Sequence, residues 1–402
     1  MLADIQKQTL SKIVQALIFI NVFIIPLVLR TREVGDSSVD FQIILKLMVW
    51  AVTLGTCLWF YRLWIKDIFK IDNIFWIIII ALIIISCFYA PNIKYAAGAT
   101  FSVVSVYILF YLARVTLEEK QILGAIISAI ALLSFLSILL YFINPEMARF
   151  WVWENGKYVV GSRLEGLTTN PNAMGYTAAV SIIFSFFYIK LYYDKSEKLI
   201  LICTLINLIA LLMSHSRTSA MGLIIVLVMV YFFTFSYKRL LTLFTLGFLL
   251  ILTMLIIDMD IIFSMLSRSG DASEITSVTG RTHIWATVID LILQKPMFGW
   301  GYTAAGFILP TMSDEIGYPA YTCHNMMLQL VFSLGFVGCF FFIIAMSIKL
   351  YFSFKYNDHL KIASFAFILL TGLTEASIFD SVAEISTLFF ATAMALHYKS
   401  RT

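Results

Sequence analysis

The sequence predicts an all-α polytopic membrane protein with about twelve transmembrane helices. Three observations predict it. The chain has 402 residues, of which 61% are hydrophobic and only 13% charged, whereas a soluble globular domain is nearer a quarter charged. Its Ile, Leu and Phe residues come in runs that repeatedly approach the ~20 residues needed to cross a bilayer. Those runs neither shorten to about 10 residues nor alternate polar with apolar, as barrel strands do.

The spans read, in order, as 12–29, 41–61, 73–90, 95–114, 121–143, 172–191, 198–213, 218–237, 240–257, 325–351, 361–379 and 383–398. The first follows Lys7 and Lys12 but has no small-residue cleavage site, so it reads as a retained span and not a signal peptide. The seventh is among the shortest. No internal repeat and no low-complexity segment interrupts the series, so residues 1–402 read as one membrane domain. The five cysteines are Cys57, Cys87, Cys203, Cys323 and Cys339; four lie in apolar runs, and no disulfide framework or metal spacing is present.

Lys and Arg set the orientation. With the N-terminus inside, seventeen of the 28 lysines and arginines fall on the inner side and ten on the outer, with Lys46 inside the second span. Every inner loop is short and basic, and an odd number of spans would scramble that pattern. Two long loops then face outward, at 144–171 and 258–324. Any chemistry is expected there.

Within the second outer loop, Arg281 to Gln294 has helical periodicity. Ile284, Val288, Leu291 and Ile292 share a face, with Trp285 and Ile289 beside it. Lys295-Pro296 stops the run. This helix is too short to span, and it is expected either to lie on the bilayer surface or to cap the bundle. Met297-Phe298-Gly299-Trp300-Gly301-Tyr302 then breaks the chain direction.

Even-numbered spans begin on the outer side, and helix starts favour anions through free N–H groups and a partial positive charge. The eighth span opens with Ser214-His215-Ser216-Arg217-Thr218-Ser219 and the tenth with Cys323-His324-Asn325. The sixth opens with Thr168-Thr169-Asn170-Pro171-Asn172, where Asn170 is positioned to cap and Pro171 to fill the first helical place. Arg217 and Arg281 each sit in a helix's first turn, against the macrodipole. A bound anion reverses that penalty, and two permanently charged forked donors suit a phosphate. The bland readings are that an outer arginine meets solvent or lipid phosphate, that His324 caps, and that His215 and His283 are structural. Arg163 has Glu165 as a neighbour to pair with. Glu375, near the outer end of the eleventh span, needs a partner in an apolar setting.

Together these residues form a pattern. Ser216-Arg217, Gly280-Arg281-Thr282 with Trp285, Pro296 with Gly299-Trp300-Gly301-Tyr302, and His324-Asn325 followed by Gly335 and Gly338 resemble the O-antigen ligase and polymerase superfamily, over about residues 160 to 390. Arg163-Leu164-Glu165-Gly166, the run Asn170 to Gly175, and Leu373-Thr374-Glu375-Ala376-Ser377 resemble its exopolysaccharide-polymerase branch.

The resemblance implies a GT-C-like fold and an undecaprenyl-diphosphate-linked glycan donor, used at the outer (periplasmic) face of the bacterial inner membrane with both termini cytoplasmic. It implies Arg217 and Arg281 on the diphosphate and His324 as the base that activates the acceptor hydroxyl. Arg163, Asn170, Asn172, Asn325 and Glu375 are candidates for substrate binding. The acceptor is another lipid-linked glycan for a polymerase, or lipid A core for a ligase. The lipid bilayer and a polysaccharide chain-length regulator are the other partners; no nucleic acid, metal or cofactor is expected. Asp258-Met259-Asp260 is the one acidic pair that departs from metal independence. A flippase or transporter for lipid-linked sugars is the reading from another class, and the near absence of midplane ionisable residues in the spans, Lys46 excepted, weighs against it.

Overall fold

The computed structural model describes residues 2–29, 40–70, 73–154, 157–192, 197–233, 281–376 and Leu396. The expected spans at 240–257 and 383–398, and the Asp258–Asp260 pair, lie outside the described residues.

Ten of the expected spans lie on helices. They are α1 (Leu2–Ile24), α2 (Phe41–Trp59), α4 (Ile74–Ser86), α5 (Ile93–Thr116), α6 (Glu119–Ile143), α8 (Pro171–Leu191), α9 (Glu197–Ser214), α10 (Arg217–Phe233), α14 (Met326–Lys355) and α15 (His359–Gly372). Short helices stand between them: α3 (Tyr61–Ile68), α7 (Pro145–Ala148), α11 (Arg281–Gln294), α12 (Ala305–Ile308) and α13 (Ser313–Ile316). Seven helices among the described residues are long and apolar enough to cross a membrane: α1, α2, α5, α6, α8, α9 and α14. Three apolar helices are shorter, at Ile74–Tyr89, Arg217–Phe232 and His359–Gly372.

Caps explain where the helices begin. Asn170 Oδ1 accepts from Ala173 N at 2.9 Å, with Pro171 in the first turn of α8. Asn325 Oδ1 accepts from Met327 N and Leu328 N, both at 3.0 Å, and opens α14. Gln121 and Glu118 form a capping box at the start of α6.

The core is built around α5, α6 and α8. α6 packs on α1, α8 and α9; α5 packs on α1 and α2; α8 packs on α9 and α10; α14 packs on α4, α11 and α15. Apolar contact alone drives little association in lipid, so buried hydrogen bonds add specificity. One links α6, α9 and α8: Ser134 Oγ donates to Asn207 Oδ1 at 2.7 Å, and Asn207 Nδ2 to Ser181 Oγ at 2.8 Å. Another links α1 to α2, from Asn21 Nδ2 to Thr53 Oγ1 at 2.8 Å.

Lys46, the clear midplane charge among the expected spans, donates to Ile25 O at 3.0 Å, just past the end of α1. α1 stops at Ile24, shortly before Pro26, and the freed carbonyls at such an end favour a cation. Lys46 is thus satisfied at a helix terminus.

The structure adds one thing to the all-α expectation. Loop 144–171 contains an antiparallel hairpin, β1 (Arg149–Glu154) with β2 (Lys157–Leu164), whose register sets Glu154 opposite Lys157. The signal was present: the residues between the strands are Asn155-Gly156, the commonest dipeptide for a two-residue hairpin loop.

α14 is a broken helix. Gly335 has φ 68° and ψ −174°, outside the helical region. The break frees backbone groups on both sides, and in an apolar setting each must be satisfied within the protein. The Pro296–Gly301 segment satisfies four of them. Trp300 N donates to Phe332 O at 2.8 Å and Gly301 N to Ser333 O at 3.0 Å. In return Phe336 N donates to Pro296 O at 2.8 Å and Val337 N to Met297 O at 3.2 Å. A Cβ on Gly335 would collide with Met297 O, so no other residue fits. The Gly-Trp-Gly turn, which had no role from sequence, is the patch that closes this break.

α11 sits over the start of α14. Its Ile284, Val288, Leu291 and Ile292 are buried in a satellite core with Ala304, Leu309, Ile316, Ala320, Cys323 and Phe332. Its contacts are with α13 and α14. Ile289, placed beside the inner face, is 47% exposed.

Candidate active site

Elements that alternate in direction bring their sequence-predicted residues to one end of the bundle. They are the starts of α8, α10, α11 and α14, the end of α9, and the turn after α15. Toward the opposite end of α14, Lys349 Nζ donates to Asn73 Oδ1 at 2.7 Å.

Glu375 is the hub. α15 ends at Gly372, and Glu375 stands in the following turn, its N–H on Thr371 O at 3.0 Å. The expectation that the eleventh span runs to 379 is corrected to that extent: the helix stops before the acid. Glu375 Oε1 accepts from Arg281 Nη2 at 2.6 Å and from Asn172 Nδ2 at 2.9 Å. Its Oε2 faces His324 Nδ1 at 3.4 Å. The side chain is 21% exposed and that of Arg281 12%. Burial raises the Glu375 carboxyl pKa, but the His324 hydrogen bond and the Arg281 charge outweigh it and hold it below the ordinary carboxylate value.

His324 precedes the cap of α14 and has φ 46°, a left-handed conformation rarely taken by a residue with a side chain. The surrounding contacts hold it there. Cys323 N donates to the buried Gln329 Oε1 at 3.0 Å, and Trp285 Nε1 on α11 donates to Cys323 O at 3.1 Å. Asn325, besides capping, donates from Nδ2 to Leu373 O at 3.0 Å, tying the start of α14 to the turn that carries Glu375.

A second tier stands behind the acid. Arg163, at the end of β2, donates from Nη2 to Asn172 Oδ1 at 2.9 Å and from Nε to Ser214 O at 3.1 Å. Arg163 therefore orients the amide that orients Glu375. The approach of α8 to the Ser214–Ser216 turn requires Gly175, where a Cβ would collide with that of Ser216. Asn170, a candidate for substrate binding, instead spends its side-chain oxygen on the cap of α8. In the turn before that cap, burial pushes the Glu165 carboxyl up to about 7.

Arg217 opens α10, is exposed, and makes no hydrogen bond or ion pair among the described residues. Its neighbour Thr218 meets Thr374, the residue before Glu375, hydroxyl to hydroxyl at 3.4 Å. The start of α10 thus borders the cluster, and among the described residues nothing pairs with its guanidinium. His215, with φ 49°, and His283 are both exposed.

Sequence reasoning missed two features. Glu375 was expected to be paired, but nothing in the sequence named Arg281 and His324 as its partners. Tyr318 carried no signal at all; burial raises its phenol pKa, while the Arg281 charge acts on it in the opposite direction. Among the described residues no group of three or more His, Cys, Asp or Glu comes together as a metal site.

The arrangement has the parts for attack by a hydroxyl on a centre that leaves with an anion: an imidazole, forked cationic donors, and the positive ends of helix dipoles. Fold and site together define a helical membrane protein with a polar, arginine- and histidine-bearing site at one end of its bundle. Residues 202–343 match the family model described as O-antigen ligase, so this stretch of the chain is similar to the O-antigen ligase and polymerase superfamily. The matched stretch contains Arg217, Arg281 and His324; Arg163, Asn172 and Glu375 lie outside it. No curated protein matches the sequence significantly.

Proposed function

We propose that this protein is a polysaccharide polymerase. It transfers a glycan from undecaprenyl diphosphate to a sugar hydroxyl of another lipid-linked repeat unit, at the outer face of the bacterial inner membrane. The convergence of Arg281 and His324 on Glu375 is the observation that carries the reading. In this reading Arg217 and Arg281 neutralise the leaving diphosphate, and His324 takes the proton from the attacking hydroxyl. One Nη2 contact of Arg281 is spent on Glu375, and a guanidinium has five N–H donors, so phosphate contacts remain open to it.

Direct attack inverts the anomeric carbon and asks for no metal. The apolar donor tail needs a lipid-facing groove between helices of a twelve-span, GT-C-like bundle with both termini cytoplasmic. Lys46, resting on a carbonyl at the end of α1, is no longer an argument for a transport path.

A second reading is a ligase that delivers the glycan to lipid A core, and the description of the matching family, O-antigen ligase, favours it. The Thr168-to-Gly175 stretch and the Glu375 neighbourhood favour the polymerase. Reconstitution decides. Purified protein given only lipid-linked repeat units makes longer chains if it is a polymerase. Product that forms only when lipid A core is added identifies a ligase. Lipid movement across vesicles with no new glycosidic bond ends the enzyme reading.

A further inference from the structure

We infer that Glu375 is a positioning residue that fixes which nitrogen of His324 acts as the base, and that it does so from a carboxylate shared with Arg281. The inference rests on the glycan-transfer reading of the site. Its observation is the split of one carboxylate: Oε1 serves Arg281 and Asn172, while Oε2 is left facing His324 Nδ1.

An ionised carboxylate only accepts hydrogen bonds. The nitrogen facing Oε2 therefore carries its hydrogen, and Nε2 of the neutral ring keeps the lone pair. The charged groups set against the ring are Glu375 itself and, across the same carboxylate, Arg281. Arg163 stands one amide further back, on Asn172.

The left-handed backbone at His324 and the Asn325 bond to Leu373 O hold ring and carboxylate in one frame. Arg281 and Asn172 fix the carboxylate plane from the other oxygen, so Glu375 presents Oε2 without choosing it.

In the transfer step the acceptor oxygen bonds to the anomeric carbon while the bond from that carbon to the diphosphate oxygen breaks. The electron pair leaves on the diphosphate. The acceptor's proton passes to Nε2, giving an imidazolium that Glu375 stabilises without taking the proton.

Glu375→Gln tests this. The amide spares most of the shape, but it faces Nδ1 with a donor as readily as with an acceptor. That exchange favours the tautomer whose Nε2 is already protonated. Enzyme in proteoliposomes is given the host's lipid-linked repeat unit, with azide as an alternative nucleophile that has no proton to lose.

For Glu375→Gln, kcat with the sugar acceptor is expected to fall about a thousandfold or more. The donor KM is expected to stay within about threefold, and glycosyl azide formation within about tenfold of wild type. Glu375→Asp is expected to recover part of kcat, since a shorter carboxylate keeps the acceptor-only face. Wild-type kcat in Glu375→Gln overturns the inference. So does a parallel loss of azide and acceptor reactions, which marks a purely structural role. A wild-type protein that forms no glycosidic bond overturns instead the function on which the inference rests.

Discussion

Arg281 and Glu375 lie 94 positions apart in the chain and meet at 2.6 Å, from Nη2 to Oε1. The pair joins the first residue of α11 to the turn after α15. Against burial, the His324 hydrogen bond and the Arg281 charge hold the pKa of this carboxylate, 21% exposed, below its ordinary value.

Removing one partner of such a pair leaves the other charge poorly solvated. Arg281→Ala is expected to abolish turnover and to lower stability by about 1.5–3 kcal/mol, the range for hydrogen bonds to charged groups. Arg217 is exposed and makes no ion pair among the described residues. Arg217→Ala is therefore expected to leave stability within about 0.5 kcal/mol of wild type while raising the donor KM. Thermal unfolding in detergent beside steady-state kinetics separates the two arginines; equal stability losses would remove the distinction.

His324 needs two variants, because its φ of 46° penalises alanine for backbone reasons. Asparagine tolerates that conformation well. Both His324→Ala and His324→Asn are expected to lose about a hundredfold to ten-thousandfold in kcat, with His324→Asn the more stable of the two. Turnover at the wild-type rate in His324→Asn would take His324 out of the mechanism.

The break in α14 makes a prediction about folding. Gly335→Ala drives a Cβ into Met297 O and forces φ 68° on alanine. The loss is expected to reach about 1–3 kcal/mol from the backbone conformation alone, with further loss from the displaced Pro296–Gly301 segment. Expression yield and thermal unfolding report it. The same substitution at Gly55, where a Cβ has no neighbour within 4 Å, is the control.

Glu165 gives a pH dependence of defined sign. Its carboxyl is raised from 4.5 to about 7 by burial, so the folded state prefers it protonated. The stability this contributes is fully present below pH 4.5 and is lost as pH rises to about 7, after which it levels. Glu375 works in the opposite direction: its stabilisation is present above the ordinary carboxylate value and is lost as pH falls through its lowered one. Glu165→Gln is expected to flatten the fall between pH 4.5 and 7 in a thermal-shift series. An unchanged slope there assigns the pH dependence elsewhere.

The sequence by itself determined the helical class, most of the span positions, and the cap at Asn170. It also singled out Arg217, Arg281 and His324. These are local matters: apolar run length, cap chemistry and residue type are written within a few positions of where they act. The Asn155-Gly156 hairpin signal is equally local, but hydropathy over span-length windows averages it away. Only the tertiary structure decided that Glu375 receives both Arg281 and His324, that Asn172 and Arg163 stand behind it, and that Pro296–Gly301 completes α14 at Gly335. Those relationships join residues tens to hundreds of positions apart, across α8, α11, α14 and the turn after α15. A run of hydropathy carries helix length and says nothing of which helix ends meet; that is decided when the bundle packs and every buried polar group finds its partner.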